Sequence, residues 1–375
     1  MSSKITNEPM ITRPLRILVV TGIYPTAQCP HSGTFIKSQV DSLTAAGLEI
    51  EVIHPKPGPA LLRYASATIQ VFLKTLRGRF DVVHGQYGQW CLIARAQWTT
   101  PVVISFLGSD LQGAYLGNGR WSKKAAIIVH LSRWLIRLVD GVIVKSEKMR
   151  QIALRGRQTS CEGRLFVIPN GVDFSLFRPI PRAEARAALG WDQERYYILF
   201  GNNPKVPVKN FPLAQAAVEC LHARGIAAEL VVASGLPQAK LVQYINASNA
   251  LILSSVAEGS PNIVKETMAC NVPVVSTDVG DVAQVIGRTQ GCRVCPPDHE
   301  LLAAALEEAL QHTGPTAGRM DIMHLDRTVV AKRVIAVYEQ VLSKKIKRNN
   351  SIYSRKPDTI YDNAPYNGYK KHRAG

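Results

Sequence analysis

Long apolar runs are missing from the 375 residues. No window reaches about 18 uninterrupted apolar positions, so no transmembrane helix is expected. The run Ile17–Val20 falls short of the roughly 7 residues of a signal-peptide core, and residues 1–14 read as a polar lead-in. Cysteine is sparse and odd in number, seven in all, which argues against a disulfide framework and for a reducing compartment. Cys292 and Cys295 form a single C-x-x-C without a second pair or suitably spaced histidines. They read as two small apolar side chains in a strand and not as a zinc site. The P-loop spacing is absent, and no G-x-G-x-x-G follows the first apolar strand. G-x-S-x-G is absent too, so ATP hydrolysis, nicotinamide chemistry and a hydrolase elbow have little support. Zinc fingers and RNP1-like motifs are lacking, and no nucleic-acid partner is expected.

Acidic residues are also in short supply. There are 45 Lys and Arg against 28 Asp and Glu, a formal net charge of +17. Residues 343–375 hold nine of the basic residues against Asp358 and Asp362, so most of the excess lies in the body of the chain. Such a balance favours an anionic membrane face, phosphorylated substrates or nucleic acid.

What is present is a globular composition, 46% hydrophobic and 19% charged, over a length that suggests two domains. Strand signals at Leu15–Val20, Glu49–Ile53, Asp81–His84, Val102–Phe106, Gly141–Val144 and Leu165–Ile168 are separated by helical stretches. The pattern restarts at Tyr197–Phe200, Glu229–Ala233, Ala250–Ser254 and Pro273–Ser276. Alternation of this kind predicts α/β architecture: two Rossmann-like, doubly wound domains with parallel sheets, facing across a cleft. The boundary is expected in the turn-rich PNGVDFSLFRPIP. The expected organisation is a lead-in (1–14), a first domain (15–178), a second domain (179–328), a helix (329–342) and a flexible basic tail (343–375). GAYLGNGRWSK, from Gly113, reads as a loop.

The densest chemical signal is LILSSVAEGSPNIVKETMACNVPVVSTDVGD, Leu251–Asp281. A strand ends at Ser254–Ser255, and a tight loop carries Glu258, Gly259 and Ser260. Pro261 then opens a helix, with Ser260 as the natural N-cap. Free amides at such a helix start suit an anion or sugar hydroxyls. Glu258 and Glu266, eight positions apart, suit a ligand with separated hydroxyl groups, although two solvated glutamates on a capped surface helix would give the same spacing.

This stretch resembles the donor-sugar motif of family 4 glycosyltransferases, which have the GT-B fold and retain anomeric configuration. The resemblance extends to VTGIYPTAQCPHSGTFIKSQVDSL, ISFLGSDL, VIPNGVDFSLFRP and PVKNFPLA, in that order. It implies that Glu258 holds the transferred sugar, Glu266 binds ribose hydroxyls and Lys209 sits on the diphosphate. Backbone around Gly259, Ser260, Pro261 and Asn262 would line the sugar pocket, and Gly33 would let the backbone approach the phosphates. A lysine can stabilise the leaving diphosphate without a metal, and no Asp-x-Asp motif is present to bind one. No metal or other cofactor is therefore expected.

Three departures stand out. The basic residue usual before the phosphate lysine is Val206, with Lys205 beside it as a substitute or as a solvated charge. The histidine usual before Gly-Ser-Asp is Leu107, leaving Asp110 to contact acceptor or sugar, or to cap a helix. The usual aspartate at Asn249 reads as structural. His84 is a cleft residue or, more commonly, a buried one. Asn170 and Asp173 are expected to shape the interdomain turn. Leu61–Phe80 and Trp121–Arg137 mix apolar with basic residues at helical spacing, which suits an anionic leaflet or a solvated basic face. The expected activity is retaining transfer from a UDP-sugar to a glycan or lipid-linked acceptor of cell-surface polysaccharide. Its expected location is cytoplasmic, peripheral on the inner membrane face. The competing readings are another GT-B activity such as an epimerase, and a non-catalytic basic scaffold for membrane or nucleic acid.

Overall fold

The computed structural model describes residues 13–30, 32–56, 58–155, 161, 163–312 and 314–353, the last six through their backbone only. Short runs rich in Val, Ile and Leu form two all-parallel sheets whose central strands are buried on both faces. The first sheet contains β1 (Arg16–Thr21), β2 (Glu49–Ile53), β3 (Val82–Gln86) and β4 (Val102–Ser105). An antiparallel hairpin, β5 (Tyr115–Gly117) and β6 (Arg120–Trp121), interrupts it before β7 (Gly141–Val144) and β8 (Leu165–Val167). Its strand order is β2-β1-β3-β4-β7-β8. The second sheet is built from β9 (Tyr196–Phe200), β10 (Ala228–Val232), β11 (Ala250–Leu253), β12 (Val274–Thr277) and β13 (Arg293–Cys295). It runs β10-β9-β11-β12-β13. The order reverses at β1/β3 and at β9/β11, and a crevice opens beyond the carboxyl ends of the strands at such points.

Helices cover both faces of each sheet. On the first, Ala60–Leu76 and Lys123–Leu135 bury Ala67, Val71 and Leu135 on one side. Thr34–Ala45 and the final helix bury Ile36, Val40, Val334 and Tyr338 on the other. The final helix belongs to the second half in sequence but packs on the first sheet. His84 is tied to it: Nδ1 lies 2.6 Å from the Tyr338 hydroxyl and Nε2 2.8 Å from Ser105 Oγ. Burial, with help from the nearby Lys145 charge, lowers the His84 pKa to about 3, so the ring is neutral and structural.

Two expectations are corrected. The Gly113 stretch is a hairpin rather than a loop. Gly117, Asn118 and Gly119 take positive φ at its turn, and the Tyr115 and Trp121 rings pack 5.3 Å apart. The final helix spans Arg327–Tyr353, so it runs past Leu342 into the stretch read as a tail. Lys and Arg are good helix formers once a packed helix precedes them. The remainder of that stretch, 354–375, lies outside the described residues.

Candidate active site

The loop after β9 leads into a single 3₁₀ turn, Pro207–Lys209, which ends at Asn210 with φ +49°. Ser254 Oγ donates to the carbonyls of Lys209 (3.1 Å) and Asn210 (2.9 Å), and Val256 N–H donates to Val208 O at 2.8 Å. These bonds pin the turn against the loop after β11. Lys209 Nζ is thereby held 2.5 Å from Glu258 Oε1, which also accepts from Ser255 Oγ at 2.8 Å.

The pair borders a cavity of about 390 Å³ between the two domains. Thr34, Phe35 and Leu107 line it from the first domain, Asn170 from the connecting turn, and Asn202, Asn262 and Glu266 from the second. Asn170 Nδ2 donates to Asn262 Oδ1 at 3.1 Å, so this turn residue faces the cavity as well as shaping the boundary. Asn202 Nδ2 is buried with no partner among the described residues, a donor left for a ligand. Glu266 has its pKa raised to about 7 by burial, against the opposing pull of Lys265. The helix Asn262–Ala269 begins at this wall, and its first amides are free of helical partners. A larger hollow of about 700 Å³ lies along the edge strand β10. Arg195 there is paired with Glu229 at 2.9 Å, and a His222 ring nitrogen lies 2.7 Å from the Ala228 carbonyl. It also lies at the amino ends of β9 and β10, away from the carboxyl ends where the cleft opens.

Beneath the Glu258–Asn262 loop lies a buried ionic group. Ser260 Oγ donates to Asp281 Oδ2 at 2.7 Å, Lys265 Nζ lies 3.2 Å from the same oxygen and also bonds Ser260. Lys145, at the end of β7, is equally buried, and its pKa falls to about 7 through burial and the nearby Lys265 charge. Sequence reading missed this group. Its signal was a lysine on the apolar face of a helix, among Ile263, Val264 and Met268.

The predicted residues separate into two sets. Glu258, Lys209, Gly259, Ser260, Pro261, Asn262 and Glu266 line one cavity. Ser260 does not cap the helix: Pro261 occupies that position in extended conformation, and the Ser260 hydroxyl is turned to Asp281. Asp110 does not reach the cavity. Its carboxylate accepts the amides of Gly88 (3.1 Å), Leu107 (3.1 Å) and Gly108 (2.9 Å), holding the loop after β4. Burial raises its pKa and those amides oppose the rise. Lys205 is exposed and outside the lining, because its loop turns on the bond from Lys205 N–H to Asn203 Oδ1. Gly33, with φ +67°, opens the helix Thr34–Ala45, and a Cβ there would lie 2.6 Å from Ile23 O. Asn249 is structural, its Oδ1 accepting from Arg186 and Tyr197 N–H, each at 2.8 Å. Among the described residues, Cys220, His299 and Glu300 form the one group with metal-ligand spacing. Glu300 is already engaged by Arg224 at 2.8 Å.

The domains meet at Gly259. A Cβ there would lie 2.1 Å from Leu107 O, and Gln112 Nε2 crosses the cleft to donate to Glu258 O at 2.8 Å. Gly259→Ala must push the two loops apart. Turnover is expected to fall at least about tenfold while the melting temperature changes little. Unchanged steady-state kinetics would show that the contact has no bearing on the site.

Residues 16–171 match the glycosyl transferase 4-like domain, and residues 180–312 match glycosyl transferases group 1. The chain is a GT-B glycosyltransferase of the family 4-like kind. Among curated relatives it is 23% identical to the putative teichuronic acid biosynthesis glycosyltransferase TuaC of Bacillus subtilis, over 78% of this chain and 88% of that one. Among solved structures it resembles sucrose-phosphate synthase of Thermosynechococcus elongatus at TM-score 0.60, with 18% identity and 92% and 100% of the chains covered. It also resembles Anabaena HepE, solved with UDP and glucose, at TM-score 0.57, with 14% identity and 89% and 100% covered.

Proposed function

We propose that the chain transfers a sugar, with retention, from a UDP-sugar to a glycan or lipid-linked acceptor of cell-surface polysaccharide. The observation that carries this reading is the Lys209–Glu258 pair, which shares one cavity with Glu266 at the mouth of the second sheet. Glu266 takes the ribose hydroxyls. The diphosphate lies between Lys209 and the first amides of the helix Asn262–Ala269, and Asn202 Nδ2 supplies one more donor. Glu258 leaves Lys209 when donor binds and accepts a sugar hydroxyl. The bond from the anomeric carbon to the diphosphate oxygen breaks, and negative charge grows where Lys209 lies. The acceptor hydroxyl attacks from the face just vacated and gives its proton to the departing phosphate. No metal enters this sequence of steps.

The assignment of TuaC to teichuronic acid biosynthesis and the UDP bound to HepE support the acceptor class and the base. The test is thermal stabilisation by UDP and GDP, followed by hydrolysis of a panel of nucleotide-sugars. Stabilisation by UDP with hydrolysis of a UDP-sugar is expected. Neither, together with tight RNA binding, would favour a scaffold.

Glu266 gives the site a pH dependence. Its carboxylate must be ionised to accept two hydroxyls, and its pKa is raised to about 7. Affinity for UDP-glucose, which does not itself titrate there, is expected to rise roughly tenfold from pH 6 to pH 8 and then level off. Glu266→Gln should bind more weakly with no pH dependence. Calorimetry showing a flat wild-type profile would remove Glu266 from this role.

The reading includes peripheral association with the inner membrane face. No helix among the described residues is long and apolar enough to cross a membrane. However, the helices Ala60–Leu76 and Lys123–Leu135 expose Leu62, Ile69, Leu73, Ile127 and Trp134, and the second opens on exposed Lys123 and Lys124. A flotation assay without binding to anionic vesicles at low salt would exclude it.

A further inference from the structure

At the foot of the first sheet, opposite the cleft, a second cavity of about 560 Å³ opens between the starts of β4 and β7 and the final helix. Arg95, Arg137, Lys344 and Lys345 line it, and among the described residues none of these four has a carboxylate partner. Three of them are held by main-chain carbonyls instead. Arg95 Nε donates to Leu138 O at 2.7 Å, Lys344 Nζ to Gly163 O at 2.6 Å and Lys345 Nζ to Thr99 O at 2.6 Å. A carbonyl satisfies a hydrogen bond but leaves the unit charge in place. The only carboxylate in the lining, Asp140, accepts Val102 N–H at 2.8 Å. Like charges gathered around one hollow are stabilised by an anion, and guanidinium beside ammonium matches phosphate.

The rim identifies the source of that phosphate. Trp98 stands at the mouth, 76% exposed, with its ring 6.2 Å from Phe72 on the helix Ala60–Leu76. That helix continues the apolar surface through exposed Ile69, Leu73 and Leu76. A site for a free anion needs no apolar collar, whereas an indole beside a basic pocket sits well at the boundary between headgroups and acyl chains. We propose that this cavity binds the headgroup phosphate of an anionic phospholipid. It would fix the membrane-facing helices at the bilayer while the cleft opens at the other end of the sheet. The proposal rests on the membrane association above and adds a defined site to it.

The test uses the full chain and co-sedimentation with vesicles of phosphatidylcholine, alone or with phosphatidylglycerol. The variant R137Q/K344Q/K345Q is compared with K240Q/R288Q/K332Q, which removes the same charge from exposed positions elsewhere. Thermal melting confirms that both are folded. The pocket variant is expected to lose at least tenfold in affinity for the anionic vesicles, the control less than threefold, and millimolar inorganic phosphate should displace neither protein. Equal losses in the two variants would overturn the pocket while leaving membrane association standing. Wild-type protein that ignores anionic vesicles would overturn both. Tight binding of inorganic phosphate without vesicle binding would assign the cavity to a free anion and overturn the lipid.

Discussion

Replacing Lys209 with alanine is expected to slow sugar transfer by about a thousandfold, while the KM for donor changes far less. The reason is the direction in which charge moves. A nucleoside diphosphate is already anionic when bound, and the departing oxygen becomes more so as its bond to the sugar breaks. A cation fixed beside it therefore acts most strongly at the transition state. Removal of one such preorganised group typically costs about a hundred- to a thousandfold in turnover. Glu258→Gln should produce a loss of similar size by a different route, since the amide keeps the shape but not the acceptor charge. The two effects will not add. Lys209 Nζ and Glu258 Oε1 are 2.5 Å apart, so each single change also leaves the other group unpaired. The double variant is expected to be slower than either single one, but by less than the product of the two losses. If the pair only tied two loops together, both variants would melt earlier and their folded fractions would turn over normally. Activity within threefold of wild type in both would end the assignment.

Much of this arrangement was legible from residues alone. Apolar runs between Gly- and Pro-rich turns located the strands, because parallel strands buried on both faces leave continuous Val, Ile and Leu signatures. The Glu258–Glu266 spacing placed both carboxylates in one cavity because one lies before a helix and the other little more than one turn into it. Contacts between distant segments were not legible. Ser260 has the chemistry of an N-cap, yet its hydroxyl serves Asp281, and nothing local announces that a buried lysine five positions on will meet it. Asp110 has the residue type of a catalytic acid, but the three amides it collects are set by how two loops approach each other. The resemblance put Lys209 on the diphosphate and left Lys205 as a second cation or a solvated charge. Ser254's bonds to the Lys209 and Asn210 carbonyls decide which of them faces the cleft. The basic cavity at the foot of the sheet combines residues from 95 to 345, a separation no local pattern spans.

The largest effect on stability is expected from Lys265→Met. Lys265 and Asp281 have side chains 1% and 7% exposed, so neither charge has water to fall back on. Breaking a buried pair by removing one partner typically costs about 3–5 kcal/mol, because the other charge is stranded. Here the cost should lie near the lower end, since Lys145 approaches from the first domain and its charge is coupled to Asp281. A loss of about 3 kcal/mol corresponds to a melting temperature roughly 6–12 °C lower for a domain of this size. Lys145→Met should behave in the opposite way. The Lys145 pKa is lowered from 10.5 to about 7 by burial and by Lys265, with Asp110 and Asp281 opposing, so above pH 7 the folded protein has already released a proton that the unfolded chain keeps. The unfolded state then binds more protons, and this group makes stability rise with pH from about 7 to 10.5. Lys145→Met should flatten that rise and cost little near pH 7. In Lys265→Met, Lys145 loses its like-charged neighbour and is drawn to Asp281, so the defect should be milder at pH 6, where Lys145 is charged, than at pH 9. Lys265→Met/Asp281→Asn, which removes the stranded charge, should recover much of the loss. Calorimetric melting across this pH range measures all of these quantities. A Lys265→Met protein that melts with the wild type at every pH would mean that the donor loop rests on its backbone contacts and not on the buried charges beneath it.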